Sequence, residues 1–177
     1  DEVEDGFLIG GGLWSDDRQK RYLSKLDRNG ETLWEHFYEG PGDDGLRSID
    51  IKADGSLVTT GYTGAQRGGF IFISEDSEGF IMKTDADGNP IWDKKIAPPQ
   101  GTKVRVDHDQ KGYAIVSTIW IDGEHQDVQL LKYDAEGNEY WSNHFGGDEW
   151  DQCYDFDLTT DGGYICGGHS RSYGVNW

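Results

Sequence analysis

Apolar residues along this chain recur at every second position. Tyr154, Phe156 and Leu158 alternate with Asp155 and Asp157, Ile49 and Ile51 flank Asp50, and Val104 and Val106 flank Arg105. A period of two is the pleat of a half-buried strand, whereas an amphipathic helix would show a period of 3.6. Each such stretch predicts a first strand. A second strand is predicted after a turn and a short apolar run, at Asp5-Gly6 to Gly10, Asp54-Gly55 to Thr59, Lys111-Gly112 to Val116 and Asp161-Gly162 to Cys166. A third strand covers Tyr22-Leu23, Phe80 to Met82 and Val128 to Leu131, and a fourth carries Trp34, Trp92 or Trp141. Asp-Gly and Asn-Gly suit the connecting hairpins because both tolerate the positive φ that a tight turn requires. In the fourth strands Trp34 shares a face with Tyr38, Trp92 with Ile96 and Trp141 with Phe145, which predicts three tryptophan wedges buried between neighbouring units.

The pattern repeats. Lys25-Leu-Asp-Arg-Asn-Gly-Glu-Thr-Leu-Trp34 returns as Lys83-Thr-Asp-Ala-Asp-Gly-Asn-Pro-Ile-Trp92 and as Lys132-Tyr-Asp-Ala-Glu-Gly-Asn-Glu-Tyr-Trp141, at intervals of 58 and 49 residues. A four-stranded antiparallel unit of this length predicts an all-β chain, and specifically a β-propeller, in which radial packing leaves only short sheet edges. The motif Asp-x-x-Gly-x-x-x-Trp, with Thr159 to Gly168 ahead of it in the pattern, resembles the acidic secreted propeller repeats of surface proteins and is similar to the tryptophan-docking repeat of quinoprotein-like propellers. That resemblance covers essentially the whole chain. It implies blades and specifies no chemistry.

The boundaries expected from the repeats are a partial blade at 1–42, complete blades at 43–100 and 101–147, and a partial blade at 148–177. On this reading the first unit lacks its first strand and the fourth stops after its second. About three and a quarter blades cannot close a ring, so a fragment of a larger propeller is expected.

Composition narrows the partners. With 16 Lys and Arg against 34 Asp and Glu the formal charge is −18, which disfavours nucleic acid and anionic membranes, since both need a basic patch. Seven Trp, nine Tyr and seven Phe place that acidity on the outside of something packed. No apolar run approaches the length of a membrane span. Cys153 and Cys166 are read as two small core residues that do not face each other, because they sit at different distances from the Asp161-Gly162 turn.

Candidate chemistry is sparse. The turns Asp85-Ala-Asp87-Gly88-Asn89 and Asp27-Arg-Asn29-Gly30 resemble half of a calcium loop, but the twelfth positions are Ile96 and Tyr38 and supply no carboxylate. No cofactor is expected, with calcium at these turns the alternative. His36, His108, His125, His144 and His169 show no paired zinc spacing, and His125 with Asp122, Glu124 and Asp127 reads as a solvated acidic turn. Ser170-Arg-Ser172 lacks the setting of a catalytic nucleophile. No residue is nominated as catalytic.

Loops after the second and fourth strands fall on one edge of such units. They gather Asp43, Asp44, Asp148, Glu149 and Asp151 with Glu75, Asp76, Asp122, Glu124 and Asp127, which predicts a negative face. The second unit adds a long insertion, from Gly64 to Glu78, whose Phe70-Ile-Phe72-Ile73 run either extends the second strand or folds onto the blade, or else docks on a partner from the acidic edge. The function expected is a non-catalytic surface or extracellular scaffold that presents loops to a protein or glycan partner, or to further blades. The alternative is a fragment of a cofactor-binding or glycan-active propeller enzyme.

Overall fold

The computed structural model describes residues 2–3, 6–66, 77–97 and 100–173. Strands β1 (Glu2–Val3), β2 (Gly6–Ser15), β3 (Arg18–Asp27) and β4 (Thr32–Tyr38) form the first sheet. The second contains β5 (Asp43–Ile51), β6 (Leu57–Ala65), β7 (Glu78–Thr84) and β8 (Pro90–Ile96), and the third contains β9 (Gly101–Val106), β10 (Gly112–Ile121), β11 (His125–Asp134) and β12 (Glu139–Phe145). The fourth pairs β13 (Asp151–Leu158) with β14 (Tyr164–Ser170). Every pairing is antiparallel between strands consecutive in sequence, so each sheet is a meander, and no helix occurs among the described residues. The first sheet does have its first strand. Glu2 and Val3 pair with Phe7 and Gly6, a stretch too short to show the period of two.

Consecutive sheets pack against each other, with β5 against β2 and β3, β9 against β5 and β6, and β13 against β9, β10 and β11. The alternation decides which neighbour each side chain meets. In β6, Leu57 joins Leu8, Leu23, Tyr38, Phe80 and Met82 toward the first sheet, while Val58 joins Val104, Tyr113, Ile115 and Leu131 toward the third. The second and third sheets are thus buried on both faces, which explains the near-continuous apolar or Thr-rich runs of β6 and β10. A third cluster joins Ala114 and Val116 to Cys153 and Phe156.

Register follows the repeats closely. Trp34 lies opposite Lys25, Trp92 opposite Lys83 and Trp141 opposite Lys132, and in all three ladders the register shifts directly after that lysine. Gly30, Gly88 and Gly137 take the left-handed conformation in the turns that follow, with φ of 86°, 82° and 74°. In the turn before β10 the left-handed residue is Gln110, φ 60°, and not Gly112. Gly112 is needed for another reason, since a Cβ there would lie 2.4 Å from the Tyr133 carbonyl oxygen.

The cysteines depart from expectation: Cys153 and Cys166 form a disulfide, with Cα atoms 6.0 Å apart. Counting back from the turn sets Cys166 opposite Phe156, as the sequence implies, but the register shifts between Cys153 and Asp155. That bulge places one extra residue in β13 and turns Cys153 onto the face of Phe156, within reach of Cys166. Cys153 is buried and Cys166 lies at the surface.

Candidate functional site

The conserved geometry of the repeats resides in the contact from each sheet to the next. The indole of Trp34, in β4, lies against Gly88 in the turn between β7 and β8, where a Cβ would be 3.0 Å from the ring. Trp92, in β8, lies in the same way against Gly137 in the turn between β11 and β12, where a Cβ would be 2.8 Å away. Polar groups complete the lock. The Tyr38 hydroxyl donates to the Gly88 carbonyl at 2.6 Å, His36 Nε2 lies 2.8 Å from the Asp87 carbonyl, and Lys94 Nζ donates to Asn138 Oδ1 at 2.9 Å. Burial pushes the Tyr38 phenol up to about 12, so it stays a neutral donor. Trp34, Trp92 and Trp141 are each half-buried. Tyr38 and Ile96, four residues after the first two tryptophans, are buried, but Phe145 is 57 % exposed because the described part of the fourth sheet ends at its second strand.

The turns that receive the tryptophans are held by their own aspartates. Asp85 accepts from the amides of Asp87 and Asn89 and from the Asn89 side chain, and Asp134 does the same with Glu136 and Asn138. Asp27 accepts from the amides of Asn29 and Glu31. Asp85 and Asp27, in the turns compared above with a calcium loop, and Asp134 with them, serve as hydrogen-bond acceptors that shape the hairpin.

Between the third and fourth sheets lies a cleft of about 460 Å³ lined in part by Asp107, His108, Lys132, Tyr140 and Tyr164. Lys132 forms an ion pair with Asp107 and donates to the Tyr164 hydroxyl at 2.9 Å. Burial alone would lower the lysine, but Asp107 and Tyr164 reverse this and hold it above its usual range. Lys132, Asp107 and Tyr164 thus satisfy one another.

The residues expected on an acidic face divide into two kinds. Asp122, Glu124, Asp148 and Glu149 are exposed, and Asp43 is half-buried, accepting from the Gln19 amide at 2.9 Å. Glu75, Asp76, Phe70 and Phe72 lie outside the described residues. Asp44, Asp127 and Asp151 are instead buried, at 0 %, 4 % and 3 % exposure. Asp44 closes the link from β4 to β5, accepting from the Gly40 amide at 2.6 Å, the Thr63 hydroxyl at 2.5 Å and the Gly64 amide at 2.9 Å. Asp151, 107 residues further on, accepts from the Gly147 amide at 3.1 Å and the Ser172 hydroxyl at 2.6 Å. Burial raises its carboxyl, yet the hydrogen bonds from Ser170, Ser172 and Gly147 outweigh this and keep it below the usual carboxylate range. The signal that could have found these two was the recurrence of Gly-x-x-x-Asp at 40–44 and 147–151, in step with the Lys-to-Trp motif.

Among the described residues no group of three or more His, Cys, Asp or Glu side chains is arranged to hold a metal, and no helix is long and apolar enough to cross a membrane. No protein-family model matches the chain, and a search of curated proteins finds no match.

Proposed function

We propose that the chain is a run of β-propeller blades acting as a non-catalytic, extracellular interaction scaffold. The observation that carries this reading is the repeated lock from Trp34 to Gly88 and from Trp92 to Gly137, which joins each four-stranded meander to the next in one way. Units joined by a constant step with burial on both faces suit a radial array, whose edges are rigid platforms for loops. The Cys153–Cys166 disulfide favours an oxidising compartment. The exposed acids Asp122, Glu124, Asp148 and Glu149 share one edge and form the surface offered to a protein or glycan.

The test is binding of the intact chain to a glycan array and to basic protein ligands, beside a variant carrying Asp122→Asn, Glu124→Gln, Asp148→Asn and Glu149→Gln. Binding lost in a variant that keeps its circular dichroism supports the reading. Binding that survives neutralisation, or none to either class, overturns it.

A further inference from the structure

The first and third sheets use equivalent positions in opposite ways. Lys20, one step beyond the Arg21–Tyr38 pair, is only 9 % exposed and its ammonium lies 2.8 Å from Glu39. In the third sheet the position one step beyond the Val128–Phe145 pair is Asp127, and the residue facing it is Gly146. A buried cation with a carboxylate partner has become a buried carboxylate facing no side chain.

Asp127 does not stand alone. A Cβ built on Gly146 would lie 2.0 Å from Asp127 Oδ1 and 2.9 Å from Asp151 Oδ2, so both carboxylates lie against Gly146 from different strands. Asp127 Oδ1 and Asp151 Oδ1 are buried and without a hydrogen-bond partner. Among the described residues, no lysine or arginine is ion-paired with either aspartate, and the nearest basic group is His144, with Nε2 4.0 Å from Asp127 Oδ2. Asp151 Oδ2 is held by Gly147 and Ser172, but Asp127 Oδ1 lies against Gly146 with no donor, which is more costly in the interior than a satisfied buried acid such as Asp44.

We propose that this recess, formed by Asp127, Asp151, Ser172 and the backbone at Gly146-Gly147, is a calcium site joining the third and fourth sheets. The available donors are oxygens, which suit a hard cation. Two carboxylates complemented by the Ser172 hydroxyl, backbone carbonyl groups and water meet the irregular coordination that calcium accepts and magnesium resists. The ion does for the third sheet what the Lys20 ammonium does for the first, with the difference that it is exchangeable.

The experiment uses the intact chain stripped with chelator and titrated with calcium chloride, followed by thermal unfolding, and with terbium as a luminescent probe. Trp150 adjoins Asp151 and packs edge-on against Trp120, 5.7 Å between centroids, and so serves as the antenna. The expected result is a saturable rise in Tm of about 5 °C or more, and terbium emission that calcium displaces. Asp127→Asn should keep the fold and lose both responses, whereas Asp122→Asn with Glu124→Gln should keep both. Asp127→Lys, which copies the first sheet, should be as stable without calcium as the native chain is with it. A Tm indifferent to calcium and chelator overturns the proposal, as does a response that persists in Asp127→Asn. A Tm that rises only on acidification would show that the pair shares a proton, and would overturn it equally.

Discussion

Trp92 and Gly137 belong to different sheets, yet the indole approaches the glycine so closely that one methyl group at position 137 would lie 2.8 Å from the ring. Gly137 also holds a φ of 74°. Gly162 has a similar φ of 85° in the turn before β14 but no atom within 4 Å of the Cβ position. Gly162→Ala therefore carries only the backbone strain, about 1 kcal/mol, while Gly137→Ala adds the displacement of an indole, for about 2 to 4 kcal/mol in all. Urea denaturation of the two variants measures the difference, and equal losses would remove the tryptophan contact as its cause.

Trp92→Ala should cost about 3 kcal/mol, at the low end for a tryptophan because the side chain is only half-buried. Trp34→Ala should cost a similar amount. Trp141→Ala should cost clearly less, since the described fourth sheet has no turn between third and fourth strands to receive it. Midpoints of denaturant unfolding rank the three.

Reduction of Cys153–Cys166, 13 residues apart in sequence, should lower stability by about 3 kcal/mol. The effect should be local. Amide hydrogen exchange in β13 and β14 should accelerate under reductant, while exchange in the first two sheets stays slow.

Three turn carboxylates set an acid limit. The Glu31 amide lowers Asp27 most, the Asn89 side chain lowers Asp85 and the Asn138 amide lowers Asp134, all below the ordinary aspartate value of 3.8. A carboxyl lowered on folding stabilises the protein above its unfolded pKa, and that contribution is lost as pH falls through the folded value. Stability should therefore decline below about pH 4, with less decline in a variant carrying Asp85→Asn. Carbon-detected titration of the aspartates should find all three midpoints below the ordinary value.

Much of the strand order was legible because the information is local: alternation names the strands, and Asp-x-x-Gly fixes the hairpin that precedes each tryptophan. The errors came where one residue changed a parity. The bulge after Cys153 turned that side chain to the other face, and nothing in the spacing of Cys153 and Cys166 announces an extra residue. Asp44, Asp127 and Asp151 fall in the stretches that the strand pattern assigns to the acidic edge, yet they are buried. Burial of a carboxylate depends on the amides and hydroxyls that a loop folds around it, as Gly40, Thr63 and Gly64 do for Asp44, and composition is blind to that. The glycines were the better guide to contact. Gly88 and Gly137 hold the positive φ of their turns, and they are also the surfaces on which the tryptophans rest.

Each lock runs from an indole in the last strand of one sheet to a glycine in the last turn of the following one, so the row of sheets has a head and a tail. The socket of the first sheet is its own Asp27 to Gly30 turn, and the plug of the third is Trp141. Two copies of such a row have no two-fold way of joining through these features, because plug cannot meet plug. They can join only head to tail, and contacts of that sort close into a ring when the rotation per step divides the circle and otherwise run on as a fibre. The contact of one tryptophan with one glycine therefore gives the row of sheets its direction.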